Sequence, residues 1–132
     1  MNVVIDTNVL VSFLLFNQSA PGKAVQLALD KHQLLLSQET INELSVVLSR
    51  KKFDKYVSQE LRTEFITTLS EVAEFVNIER TITVCRDEKD NKFLDIAANG
   101  NAEFLITGDN DLLVLNPFEG TRILTPSEFI SL

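Results

Sequence analysis

The residues of this chain best suited to do chemistry together are acids: Asp6, Glu43, Asp90 and Asp109, with Asp111 close enough to Asp109 to join them. Asp6 is the most telling, because it interrupts the apolar run VVIDTNVLVSFLLF of residues 3 to 16. A bare carboxylate stranded there is costly or takes up a proton. Four carboxylates gathered in one pocket repel one another, and a divalent cation is the simplest remedy. The chain has one histidine, His32, and one cysteine, Cys85, so no zinc-type cluster is available. A donor set made of carboxylate oxygens alone points to Mg²⁺ or Mn²⁺. Such an ion polarises a phosphoryl oxygen, lowers the pKa of a bound water and stabilises a leaving oxygen, so phosphodiester hydrolysis is the natural reaction.

Those acids can meet only if the intervening elements bring them together. Residues 2 to 6 read as a buried strand that runs into a helix near Asn8. A helix follows over 20–30, with Ala24, Leu27 and Ala28 inward, then a short strand over 33–36. Ser37 is a natural N-cap for a helix whose stripe is Ile41, Leu44, Val47 and Leu48 and whose end is Arg50-Lys51-Lys52. Residues 58–73 form another helix with Leu61, Phe65, Leu69 and Val72 inward, followed by a marginal strand over 75–78. The polar stretch 86–90 leads into a helix with Phe93, Leu94, Ala97 and Ala98 inward. Strands are expected over 104–107 and 122–124, and Pro126 starts a final helical turn. Strands separated by helices define a mostly parallel α/β sheet covered on both faces. In such sheets ligands bind beyond the carboxyl ends of the strands, where Asp6 and Asp109 both fall. Glu43 borders the apolar stripe of its helix, and Asp90 begins one.

Each acid also has an ordinary explanation. Asp90 is a good N-cap by type, Asp109 follows a strand-breaking Gly108, and Glu43 sits on a helix face; taken singly, these readings favour capping or solvation. For Asp6 the balance reverses, because apolar sequence encloses it. Asp87, Glu88 and Asp95 read as solvated or supporting.

Composition sets the bounds. A chain of 132 residues with 45% hydrophobic content suits one domain spanning 1–132. The opening apolar run lacks the basic leader and cleavage site of a secretion signal, and no run is long enough for a membrane span. A lone cysteine fits a reducing, cytoplasmic setting. The net charge of −7 counts against nonspecific adhesion to nucleic acid. It does not exclude a local cation-binding centre whose sign reverses once metal arrives.

The segments VVIDTNVLVSFLL, SQETINELSVVLSR and RDEKDNKFLDIAANGNAEFLITGDNDLL together resemble the PIN-domain family, in particular the bacterial toxin components of toxin–antitoxin systems. The resemblance covers nearly the whole chain. It implies a three-layer α/β/α sandwich with a central, mostly parallel sheet, and a Mg²⁺- or Mn²⁺-dependent endoribonuclease acting on RNA. Matched residue by residue, the family's acids fall on Asp6, Glu43, Asp90 and Asp109, with Asp111 auxiliary. Asn8 matches the polar residue that orients the first acid, and Thr107 the hydroxyl residue before the last acidic pair. Where relatives carry consecutive acids this chain has Asp90-Asn91, which leaves Asp87 as a reserve ligand and Asn91 as a carbonyl donor. The resemblance also implies a cognate antitoxin protein and a homodimer, away from any membrane.

On this reading Asp6, Asp90 and Asp109 hold one or two ions, while Glu43 completes the cluster and orients or deprotonates the attacking water. Lys51 and Lys52, in the one dense basic segment, are the candidate RNA contacts, with Phe53 and Tyr56 as stacking surfaces. The plainer reading is a solvated helix end with two buried aromatics. Two rivals come from other classes. A receiver domain, which accepts a phosphoryl group in signalling, would want a lysine after the last strand, and 123–128 offers none. A catalytically idle PIN-like module that binds a protein would have no need of acids at all four positions.

Overall fold

Short, β-branched and leucine-rich runs form the strands of the computed structural model, which describes residues 1–132. In chain order the elements are β1 (Asn2–Ile5), α1 (Thr7–Leu15), α2 (Ala20–Lys31), β2 (Gln33–Leu36), α3 (Gln38–Leu48), α4 (Gln59–Val72), β3 (Glu74–Phe75), α5 (Asn91–Gly100), β4 (Phe104–Ile106), α6 (Asn110–Leu113), β5 (Arg122–Leu124) and α7 (Pro126–Ile130). Lys51–Phe53 and Glu88–Asp90 form single 3₁₀ turns. The sheet has five strands in the order β3-β2-β1-β4-β5, and every pairing is parallel. No helix is long and apolar enough to cross a membrane.

Alternation along the strands sorts side chains to two faces. Val3, Ile5, Leu34, Leu36 and Ile106 face a core shared with α1, α2, α3 and α7. Val4, Leu35, Leu105 and Ile123 face a second core with α5 and α6, where Phe93, Leu94, Ile96 and Leu112 pack. The architecture is therefore the expected α/β/α sandwich.

The strand order reverses at β1. From β1 the chain moves outward through β2 to β3, then returns to place β4 on the other side, so the crevice lies between the carboxyl ends of β1 and β4. The register sets those ends level. Ile5 pairs with Ile106, which in turn pairs with Leu124. The Asp6 amide donates to the Ile106 carbonyl at 3.0 Å and the Thr107 amide to the Leu124 carbonyl at 2.9 Å.

Three expectations need correction. In α4, Leu69 is buried, but Leu61 and Val72 are 54% and 52% exposed, and the buried polar residue of that helix is Arg62. The Arg62 guanidinium donates to the Leu48 carbonyl at 2.7 Å and pairs with Asp54 at 2.6 Å. It satisfies an otherwise orphaned carbonyl at the end of α3. This also explains the second correction: α3 stops at Leu48, so Arg50-Lys51-Lys52 lie beyond it and an arginine from another helix serves its end. Third, the marginal strand begins one residue earlier, is two residues long, and has both side chains exposed.

Candidate metal centre at the strand carboxyl edge

Asp6 leaves β1 as the N-cap of α1. Its Oδ1 accepts from the Asn8 amide at 3.2 Å and its Oδ2 from the Thr107 hydroxyl at 2.7 Å. Thr107, fully buried, also accepts from the Asp109 amide at 3.0 Å. One hydroxyl thus joins the ends of β1 and β4 and ties the first acid to the last. Asn8 contributes its backbone here, while its side chain is exposed. Burial raises the Asp6 pKa; the Thr107 and Asn8 hydrogen bonds oppose the rise, and the charges of Asp109 and Glu43 add to it.

Asp109 caps α6 by accepting from the Asp111 amide at 2.8 Å. Asp90 is the acid for which capping fails. It stands before α5 in helical conformation and makes no side-chain cap bond. It is 8% exposed, and its Oδ2 is buried without any hydrogen-bond partner. Burial first, then the hydrogen-bonding proximity and charge of Asp109 and the charges of Asp6 and Asp87, push its pKa up to about 7. Asp90, Asp109 and Asp111 each offer a carboxylate oxygen, all within 4.8 Å of one another.

An orphaned buried carboxylate oxygen is costly to leave without a partner, and it belongs to a residue with two further carboxylates beside it. The donor set is oxygen only, so the residues fit a hard divalent cation. These are three of the four acids expected at a metal site, and the fourth, Asp6, is joined to Asp109 through Thr107. Asp111 also accepts a two-pronged ion pair from Arg86, at 2.8 Å on each oxygen, which holds its pKa below the ordinary value. The nearby Cys85 thiol senses the same field. Burial, then Asp90, Asp109, Asp111 and Asp87, push it up to about 11.

Glu43 is held on both oxygens. The Thr7 hydroxyl donates to Oε1, and the Lys92 ammonium lies 2.7 Å from Oε2. Asp87 is exposed and accepts from the Lys89 amide at 3.0 Å, as the cap of its 3₁₀ turn. The Asn91 carbonyl oxygen, a candidate ligand by sequence, instead accepts from the Cys85 amide at 2.9 Å. Buried Asp95 accepts from the Ile82 amide at 2.6 Å, so both residues fasten the segment before α5.

Lys51 and Lys52 are not brought to the acids. α3 starts at the carboxyl end of β2 and runs eleven residues, about 16 Å, before the 3₁₀ turn that carries them. Of the two aromatics there, Phe53 is buried and Tyr56 is 60% exposed. Sequence reasoning missed Arg86, Thr7 and Lys92. For Lys92 a signal existed: it stands in the run KFLDIA, every residue of which is buried in α5, and a lysine there requires an anion.

A cleft of about 550 Å³ opens beside the acids, lined by Asp6, Asn8, Ser12, Gly108, Asp109 and Ser127 among others. A parallel, doubly wound sheet with an oxygen-only acid cluster at its switch point defines a small α/β protein whose acids are compatible with a divalent cation. Residues 2–111 match the PIN domain family, and the chain belongs to it. Over 140 aligned residues it is 34% identical to an uncharacterised protein of Methanocaldococcus jannaschii, MJ1680, covering 98% of this chain and 90% of that one. Among solved structures, VapBC2 from Rickettsia felis, bound to a DNA fragment from its promoter, superposes with a TM-score of 0.63 at 13% identity, covering 95% of this chain and 98% of the other. PAE2754 from Pyrobaculum aerophilum gives 0.63 at 15%, covering 99% and 88%. These two likenesses speak for the fold. PIN domains are generally nucleases, and membership supports hydrolase activity.

Proposed function

We propose that this chain is a Mg²⁺- or Mn²⁺-dependent endoribonuclease and the toxin of a toxin–antitoxin pair. The observation that carries the reading is the buried, unpartnered Oδ2 of Asp90, a residue whose carboxylate also lies within 4.8 Å of those of Asp109 and Asp111. Asp6, Asp90 and Asp109, the acids without a cationic partner, would hold the cation, with Asp111, paired to Arg86, as the auxiliary acid beside them. Bound there, such an ion polarises a phosphoryl oxygen and makes an attacking water more acidic. Thr107 fixes Asp6 and Asp109 relative to each other, so that the carboxylates would receive the cation without reorganising. Water adds to phosphorus, the bond to one ribose oxygen breaks, and the proton lost by the water passes through solvent to that leaving oxygen. With both oxygens engaged, Glu43 acts as a fixed charge beside Asp6 rather than as a free base.

Exposed Lys51, Lys52 and Tyr56 would take the RNA strand beyond the cleft, by phosphate contact and base stacking. The toxin reading draws on the bacterial subgroup that the sequence resembles and on the fold likeness to VapBC2. It carries with it an antitoxin partner, a homodimer and a cytoplasmic location. Purified protein incubated with RNA in Mg²⁺, Mn²⁺ or EDTA, beside Asp6→Asn and Asp90→Asn, tests the activity. Cleavage is expected with either metal and lost on chelation and in both variants. Cleavage by Asp6→Asn at the parental rate refutes the assignment. Growth arrest on expression, relieved by the neighbouring gene, tests the toxin role.

A further inference from the structure

Lys92 is only 7% exposed, and its ammonium meets Glu43 Oε2 at 2.7 Å, the Lys89 carbonyl, and the face of Phe93 at 5.3 Å from the ring centroid. The other oxygen of Glu43 takes the Thr7 hydroxyl. Thr7 directly follows Asp6, and Lys92 stands two residues after Asp90, so this clamp joins α3 to the two chain segments that carry the acids of the site. Glu43 lies close enough to Asp6 for its charge to be felt there. Of the five acids at this edge, Glu43 is paired with Lys92 and Asp111 with Arg86, which leaves Asp6, Asp90 and Asp109 without a cationic partner.

We infer that Lys92 is a positioning residue of the acidic site: its ammonium holds Glu43 away from metal coordination and stands in for a second divalent ion, so that the site takes one. This rests on the nuclease reading for its relevance to catalysis, but its central claim concerns metal count. Three unpartnered carboxylates leave the centre one negative charge with one divalent ion and one positive charge with two, so two ions are balanced only when a fourth carboxylate is free. Freed of Lys92, Glu43 becomes a fourth carboxylate of the kind that recruits a second ion. Lys92 is also too well enclosed to reach substrate itself, and acts through Glu43.

The test is Mn²⁺ titration of the full chain, read from the electron paramagnetic resonance signal of the free ion, with no RNA present. The wild type is expected to bind one Mn²⁺ per chain, Lys92→Met two, and Lys92→Met/Glu43→Gln one again, with circular dichroism confirming the fold of each. In RNA cleavage, Lys92→Met should lower kcat at least 10-fold while KM changes less than 3-fold, and Lys92→Arg should recover most of the loss. Two Mn²⁺ per wild-type chain, or a folded Lys92→Met chain that binds only one, overturns the inference. Should Lys92→Met fail to fold, the wild-type count decides alone. If no form of the protein cleaves RNA, the nuclease reading falls while the Mn²⁺ counts still decide the role of Lys92.

Discussion

Replacing Asp90 by Asn should make the metal-free protein more stable and inactive at once. Asp90 ionises at about 3.8 in an ordinary setting and at about 7 in the folded chain, because burial and the charges of Asp109, Asp6 and Asp87 oppose its negative form. The unfolded chain loses this proton near pH 4, whereas the folded chain keeps it to near pH 7. Between those values the folded state holds the extra proton, so stability falls as pH rises and levels off above about 7. A carboxyl held about three pH units high corresponds to at most about 4 kcal/mol. Water in the adjoining cleft screens part of this, and about 2 kcal/mol is the working figure.

Asn keeps the shape and removes the charge. Urea or thermal unfolding in EDTA should therefore show Asp90→Asn more stable than wild type by about 2 kcal/mol at pH 8, roughly 5–10 °C in midpoint, and nearly equal to it at pH 4. Saturating Mg²⁺ should reverse the order. A cation at a hundred times its dissociation constant stabilises by about 2.7 kcal/mol, and only the wild type keeps all three ligands to receive it. If Asp90→Asn is less stable than wild type in EDTA at pH 8, the carboxylate is not under strain and the argument for a cation site at Asp90 loses its physical basis.

Thr107→Val removes the donor to Asp6 and the acceptor for the Asp109 amide while keeping the volume. It should cost about 1–3 kcal/mol in urea unfolding and move the acid limb of the cleavage pH profile upward, because Asp6 loses the hydrogen bond that lowers its pKa. Arg62→Met leaves the Leu48 carbonyl without its donor and should destabilise by about 3 kcal/mol, with metal affinity unchanged, since Arg62 serves the far end of α3. Charge reversal at both Lys51 and Lys52 should weaken RNA binding and flatten its salt dependence by about two units of slope at most. An unchanged slope removes them from the RNA path.

The order of strands and helices was legible because each element carries its own periodicity, and Asp6 was legible because an acid inside an apolar run demands an explanation. The two faces of the sheet followed from the same pattern. What stayed hidden were relations between elements. Leu61 and Val72 fit a helical stripe, yet α4 buries Leu69 and Arg62 instead, because a guanidinium was needed to close α3 and no local signal says so. Asp90 was the cap by type and Asp87 the reserve ligand; the 3₁₀ turn gives capping to Asp87 and leaves Asp90 buried without it. Asn91 looked like a weakened ligand and proves to be a fastener for Cys85. The counter-charges Lys92 and Arg86 were the largest omission, and for a physical reason: a search for carboxylates that repel looks past the cations that already answer two of them. Which acids remain unanswered is a property of the assembled edge, and among them Asp90 is set apart by a buried oxygen with no hydrogen-bond partner.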